Sequence, residues 1–179
     1  MDRKEFFRAS LGLGVACVGA SRGEGEDAPP APPLTPCEER ADFARIWVKR
    51  FMDNFDEQVG ARKRLLLMEA RGRSCARGGA VGVAKACDGD VDKLVTVMAG
   101  WLGKENVRRE GSVVRVAYDR CLCPMVADVK EISGTYCDCS RGWLKEMFEA
   151  AGGKPVEVEV RETIKRGGSA CRFTVHLEA

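Results

Sequence analysis

The apolar residues of this 179-residue chain change period partway along, and that switch restricts the fold more than any other feature. Up to Leu102 they recur every third or fourth position, as on one face of a helix. From Val114 onward, outside one helical segment, they recur every second position, as on one face of a strand. Thr35-Pro36-Cys37-Glu38 has the residues of a capping box with proline at the first helical position. Phe43, Ile46, Trp47, Phe51 and Phe55 follow at helical spacing and read as a core-facing aromatic stripe. A second helix is expected over about 57–70, carrying Leu65, Leu66, Leu67 and Met68, with Gly60 separating it from the first. Residues 72–89 read as a Gly-rich connection. Val91, Leu94, Val95, Met98 and Leu102 then share a helical face that Gly103 closes.

Val114, Val116 and Tyr118 alternate with Arg115 and Ala117, which reads as a strand. Trp143, Leu144, Met147 and Phe148 belong to a helix stopped at Gly152-Gly153. Val156, Val158 and Val160, then Cys171, Phe173, Val175 and Leu177, alternate on either side of Gly167-Gly168 and read as an antiparallel hairpin. Helices first and strands later predict an α+β domain: an antiparallel sheet with helices packed on one face, the helices mainly N-terminal and the hairpin C-terminal.

That domain is expected over 35–179. Ahead of it, residues 1–20 read as an export signal. Arg3, Lys4 and Arg8 form a basic start, Ala9 to Ala20 a short apolar stretch, and Val18-Gly19-Ala20 a small-residue cleavage site. Arg3-Lys4-Glu5-Phe6-Phe7-Arg8 resembles a twin-arginine signal with lysine in place of the second arginine, which implies export of an already folded chain. Gly14-Val15-Ala16-Cys17 offers a lipoprotein box as an alternative, and membrane attachment would depend on lipidation of Cys17. Residues 21–34, with Pro29-Pro30-Ala31-Pro32-Pro33, read as a stiff linker. The expected location is the periplasm or cell envelope of a bacterium.

Composition narrows the chemistry. A net charge of +2 and the lack of a basic stripe interleaved with aromatics argue against nucleic acid as a partner. Arg62-Lys63-Arg64 and Arg108-Arg109 read as solvated faces. A single histidine, His176, excludes Cys₂His₂ zinc sites, so any metal must rest mainly on thiolates. No Walker loop, dinucleotide fingerprint or Ser-His-Asp set is present.

Nine cysteines make sulfur the centre of the functional question. Cys121-Leu-Cys123 and Cys137-Asp-Cys139 are two Cys-x-Cys pairs separated by residues 124–136. On an extended backbone each pair aims both sulfurs to one side, and a turn between them brings four thiols together. Three outcomes stand open. The four thiols hold zinc or another thiophilic metal; they form nested disulfides, Cys121–Cys139 and Cys123–Cys137; or one of them reacts. Cys139 is the candidate nucleophile, because Ser140 reads as an N-cap and a helix start favours a thiolate. Asp138 and Tyr136 are its candidate acid–base partners. Arg141, Trp143 and Cys171 are candidates for ligand contact, with Cys171 otherwise a small buried residue. Cys75 and Cys87 bracket the Gly-rich segment and are candidates for a disulfide.

The run Cys121-x-Cys-Pro, Tyr136-Cys-x-Cys-Ser-Arg-Gly-Trp143, Gly153-Lys-Pro-Val-Glu-Val and Arg166-Gly-Gly-x-x-Cys171-Arg-Phe resembles an uncharacterised bacterial Cys-rich family. Its members also share Gly72-Arg-Ser-Cys75-Ala. The resemblance covers about Asp53 to Val175 and implies no chemistry. The closing hairpin with Cys171-Arg-Phe-x-Val is similar to the end of 4-vinyl reductase domains, which bind small apolar ligands. It is also similar to the end of the L-2-amino-thiazoline-4-carboxylic acid hydrolases. That likeness implies kinship of fold and, more remotely, ligand binding or hydrolysis.

The expected function is therefore an exported Cys-rich module that binds a thiophilic metal or a small organic molecule. The alternatives are a small cysteine hydrolase and a disulfide-braced interaction domain.

Overall fold

A computed structural model describes residues 35–177. The export signal, the linker and Cys17 lie outside the described residues. Among the described helices none is long and apolar enough to cross a membrane.

Helix α1 spans Pro36–Gln58, and its start is the capping box expected. The Thr35 backbone N–H donates to Glu38 Oε2 at 2.7 Å, and the Glu38 N–H donates back to Thr35 Oγ1 at 3.4 Å. The aromatic stripe behind this cap does not face the core. Phe43, Ile46, Trp47 and Phe51 are 46–68% exposed. The helix docks instead through Val48 and Met52 on its opposite side. The aromatics recover part of their burial by stacking along the helix, with ring centroids 5.3 Å apart for Trp47–Phe51 and 5.8 Å for Phe51–Phe55.

Gly60 separates α1 from α2, which spans Ala61–Arg77 and so runs through the segment expected to be a loop. A short α3 (Val81–Lys85) and α4 (Val91–Leu102) follow. Asp90 caps α4 by accepting from the Asp92 and Lys93 N–H groups at 3.0 and 3.2 Å. The helix predicted around Trp143 is α5, Cys139–Gly152, ended by Gly153 at φ +69, a left-handed cap that favours glycine.

Four strands make one antiparallel sheet, in the order β1 (Val107–Glu110), β2 (Val113–Tyr118), β4 (Cys171–His176), β3 (Glu157–Glu162). Strand β1 was not legible in the pattern: it is an edge strand whose only buried residue is Val107. Its Arg108-Arg109 pair is exposed, as expected of a solvated run. Strand register places Val114, Val175 and Val158 in one row and Val116, Phe173 and Val160 in the next. These rows face the helices. Leu144, Met147, Phe148 and Ala151 of α5 pack against them with Leu94, Met98 and Trp101 of α4. Phe148 is fully buried and its removal from water contributes about 2–3 kcal/mol. The opposite face of the sheet carries Arg115, Thr174, Glu159 and Arg172. The architecture is thus the two-layer α+β arrangement expected, with helices on one face.

Helices α2 and α5 meet backbone to backbone. A Cβ built on Gly72 would stand 1.8 Å from the Cys139 carbonyl oxygen, and one on Gly142 would stand 1.8 Å from the Glu69 carbonyl oxygen. Glycine inside a helix costs about 1 kcal/mol, and here close packing offsets it. That is why residues expected to break the helix lie within it.

An ionic ladder flanks this contact. Arg73 donates to Glu149 at 2.5 and 3.0 Å, and Arg77 donates to Glu146 at 2.7 and 2.9 Å. The arginine hydrogen bonds hold both carboxyl groups below the usual carboxylate range. A depressed folded-state pKa contributes stability that is present above the unfolded value and lost as pH falls through the folded one. Arg73→Ala should cost about 2 kcal/mol at pH 7, since Glu146 and Glu149 keep little exposure without it. The deficit should shrink towards pH 3, read from denaturant midpoints at the two pH values. An equal loss at both would refute the ionic role.

Candidate functional site

A second, smaller core lies beside α1 and α2. It consists of Val48, Met52, Met68, Val126, Val129 and Ile132, and Cys121, Cys123, Tyr136 and Cys139 pack against it. The segment 119–133 after β2 supplies much of it without regular structure. It folds back on itself, the Val126 and Ala127 N–H groups donating to the Cys123 carbonyl at 3.1 and 2.8 Å. Lys165, in the β3–β4 connection, donates to the Ala127 and Val129 carbonyls at 3.0 and 2.6 Å and pins the segment from the other side.

Ser133 then starts a helical run earlier than the sequence suggested. Its hydroxyl accepts from the Thr135 N–H at 3.1 Å and donates to Asp56 of α1. A 3₁₀ turn over Gly134–Asp138 passes directly into α5 at Cys139. Ser140 is consequently inside the first turn of α5 and caps nothing. The premise of two extended Cys-x-Cys pairs fails in both places. Cys121 and Cys123 lie in a loop beyond β2, and Cys137 and Cys139 are helical. Residues two apart on a helix point about 160° apart. Cys137 turns towards the Thr163 hydroxyl and the charge of Arg166, while Cys139 turns towards Cys123, Cys75 and Arg71.

The thiols nevertheless converge, and more of them than expected. The thiol felt most strongly by Cys139 is Cys123, and by Cys137 it is Cys121. Cys171, at the start of β4, senses Cys137 and Cys121, and Cys75 of α2 is felt at Cys139. Six cysteines from α2, the loop, the α5 start and β4 therefore form one neighbourhood, all as free thiols. The adjacency is 123–139 and 121–137, the reverse of the nested pairing that two strands would give.

Burial sets the electrostatics. It pushes the Cys171 thiol up to about 11 and raises Cys123, Cys137 and, most of all, Cys139. Cys139 is thus a protonated thiol at neutral pH rather than the thiolate expected at a helix start, because desolvation and three neighbouring thiols outweigh the helix dipole. Its nominated partners are engaged. Asp138 is buried, and its Oδ1 accepts from Arg166 Nη2 at 2.7 Å. The Tyr136 hydroxyl lies 3.6 Å from Cys123 Sγ, and burial pushes its own ionisation well up.

Of the remaining candidates, Arg141 is half-buried beside the cluster, with its Nε enclosed and lacking a hydrogen-bond partner. Trp143 packs against the main core. Cys87 is buried and its thiol meets the Val83 carbonyl at 3.4 Å, while Cys75 is exposed. Both are free thiols, so the disulfide expected between them is not formed in the structure. His176 stands 4.0 Å from Glu159 on the far face of the sheet.

Tyr118 was missed as a site residue. Its hydroxyl meets Ser140, it feels Cys171, Cys139 and Cys137, and its ring tilts against Phe173 at 5.6 Å. The available signal was its place at the end of β2, directly opposite Cys171 in the register.

Among the described residues no three His, Cys, Asp or Glu side chains stand as a ready metal-ligand set. A groove of about 520 Å³ between α3 and α4, lined by residues including Val83, Cys87, Asp90, Lys93 and Val97, shares no residue with the six-thiol cluster.

Fold and site together define a two-layer α+β domain with a thiol cluster where a loop, a helix start and a strand start meet. The chain belongs to DUF6144, a family of unknown function, whose model matches residues 84–179. The match takes in Cys121, Cys123, Cys137, Cys139 and Cys171 and leaves α1, α2 and Cys75 outside it. Comparison with curated proteins gives no match.

Proposed function

We propose that this protein is an exported binding module that holds a thiophilic metal ion, zinc or a softer ion, on the thiols of Cys121, Cys123, Cys137 and Cys139. The observation that supports this reading is their convergence as free, largely buried thiols with Cys171 and Cys75 beside them. A small organic ligand finds less support, because such ligands need a concavity of roughly 300–1,000 Å³ and the groove of that size belongs to α3 and α4. A hydrolase related to the aminothiazoline carboxylate enzymes would rest on Cys139 as a thiolate, and burial among thiols opposes that ionisation.

Binding closes the Cys121–Cys123 loop onto the start of α5, since the thiols are near one another but not yet in ligating arrangement. Each thiol that becomes a ligand must give up its proton. Affinity for cadmium(II) or zinc(II) should therefore rise with pH, by up to about tenfold per pH unit for each proton released. The test is titration of the reduced chain with either ion at pH 6, 7 and 8, with thiols counted by alkylation before and after. Cys123→Ser and Cys139→Ser should each weaken binding at least about tenfold. A reduced chain that takes up no metal, its thiols staying open to alkylation, would defeat the proposal.

A further inference from the structure

Cys75 has a place in the structure that the metal site as proposed does not use. Gly72 lets α2 settle onto α5 so closely that a Cβ there would reach 1.8 Å from the Cys139 carbonyl oxygen and 2.8 Å from the Trp143 backbone nitrogen. Cys75 follows three positions later, one turn along the same side of α2. The close approach of the helices therefore delivers the Cys75 thiol to the neighbourhood of Cys139, within range of its charge. Arg71, on the other side of Gly72, reaches the same neighbourhood, since its charge is felt at both Cys139 and Tyr136.

Exposure separates Cys75 from its neighbours. Cys137 and Cys171 are buried, Cys121, Cys123 and Cys139 are half-buried, and Cys75 alone of the six is exposed. An incoming ion in water meets Cys75 first, and the thiols that would hold it lie behind.

We propose that Cys75 is the loading thiol of the site: it captures the thiophilic metal ion from solution and passes it to Cys139. This inference rests on the metal-binding reading above. The transfer is a ligand exchange without redox change. The Cys139 thiol forms a sulfur–metal bond as the Cys75–metal bond breaks. The Cys139 proton goes to the departing Cys75 thiolate, so protons and charge balance. Desolvation favours this direction, because the ion ends among several sulfurs in a drier place.

The test follows cadmium(II) uptake by the reduced full chain through its near-ultraviolet sulfur-to-metal absorption. Cys75→Ser should slow loading about tenfold or more, because uptake then waits on local opening of the fold. The cadmium finally held should match the wild type. Cys87→Ser, which removes a thiol outside the cluster, should load at the wild-type rate. Single alkylation of Cys75 in the wild type should reproduce the slow phase and guards against a misfolded variant. A bifunctional thiol alkylator should bridge Cys75 to Cys139 in the metal-free chain, a readout independent of metal. Unchanged loading in Cys75→Ser would overturn the loading role while leaving the metal site intact. So would a lower final stoichiometry at an unchanged rate, which would make Cys75 an ordinary ligand. A wild type that holds no cadmium would remove the metal reading itself, and the loading role with it.

Discussion

Gly142→Ala is expected to lower the melting temperature by about 10 °C, equivalent to about 3 kcal/mol for a domain of this size. The reason is the backbone contact between α2 and α5. The added Cβ would lie 1.8 Å from the Glu69 carbonyl oxygen and 2.6 Å from its carbon. Neither atom belongs to a side chain that can turn aside, so the helices must separate along the whole contact. Alanine's better helix propensity returns only about 1 kcal/mol. Gly72→Ala should behave alike, and the pair should fall short of additivity because both act on one contact. Gly72→Ala should also displace Cys139 and weaken metal uptake. Gly100 supplies the control: it is an exposed position within α4 with nothing within 4 Å of a built Cβ. Gly100→Ala should therefore stabilise, by up to about 1 kcal/mol. Thermal unfolding of the three variants decides the matter. A Gly142→Ala protein melting with the wild type would mean the helices do not pack as described.

The metal-free, reduced domain is expected to lose stability steeply between about pH 8.5 and pH 11. Cys171 moves from 9.0 to about 11, and Cys123, Cys137 and Cys139 move in the same direction, all chiefly through burial. A folded-state pKa above the unfolded one contributes stability that is intact below the unfolded value. It is lost as pH rises through the folded value, because the unfolded chain sheds its protons first. Cys171 alone accounts for roughly 2–3 kcal/mol across that window. The other three thiols add to it, against a total stability of roughly 5–15 kcal/mol for a typical domain. Denaturant midpoints at pH 7, 8.5, 9.5 and 10 under reductant measure the slope. Cys171→Ala should flatten it by about 1.4 kcal/mol per pH unit. Bound metal should abolish much of it, since metal-bound thiols have no proton left to lose. Flat stability from pH 8 to 10 would show that the thiols are not buried as described.

Several elements could be read from the chain because their cause is local. The Thr35–Glu38 cap, the α4 face ended by Gly103, and the alternation in β2, β3 and β4 each depend on residues a few positions apart. The errors share a different cause. Phe43, Trp47 and Phe51 share a helix face, but which face docks depends on what Val48 and Met52 meet elsewhere. Gly72 looks like a helix breaker until α5 is laid against it. Edge strand β1 buries a single residue and shows no alternation.

The cluster divides in the same way. That sulfur would dominate the site followed from nine cysteines and one histidine, and the candidate stretch around Cys121–Cys139 was visible from spacing. The α+β class followed from the change of hydrophobic period, since period is a local consequence of backbone geometry. Which thiols are neighbours, and which are protonated, only the tertiary structure decided. Ser133 begins the helical turn early and rotates Cys137 away from Cys139. Gly72 and Gly142 bring Cys75 in from α2. The strand register sets Tyr118 across from Cys171. A thiol's ionisation depends on the water removed and the charges brought near by segments distant in the chain, and no pattern of nearby residues carries that information.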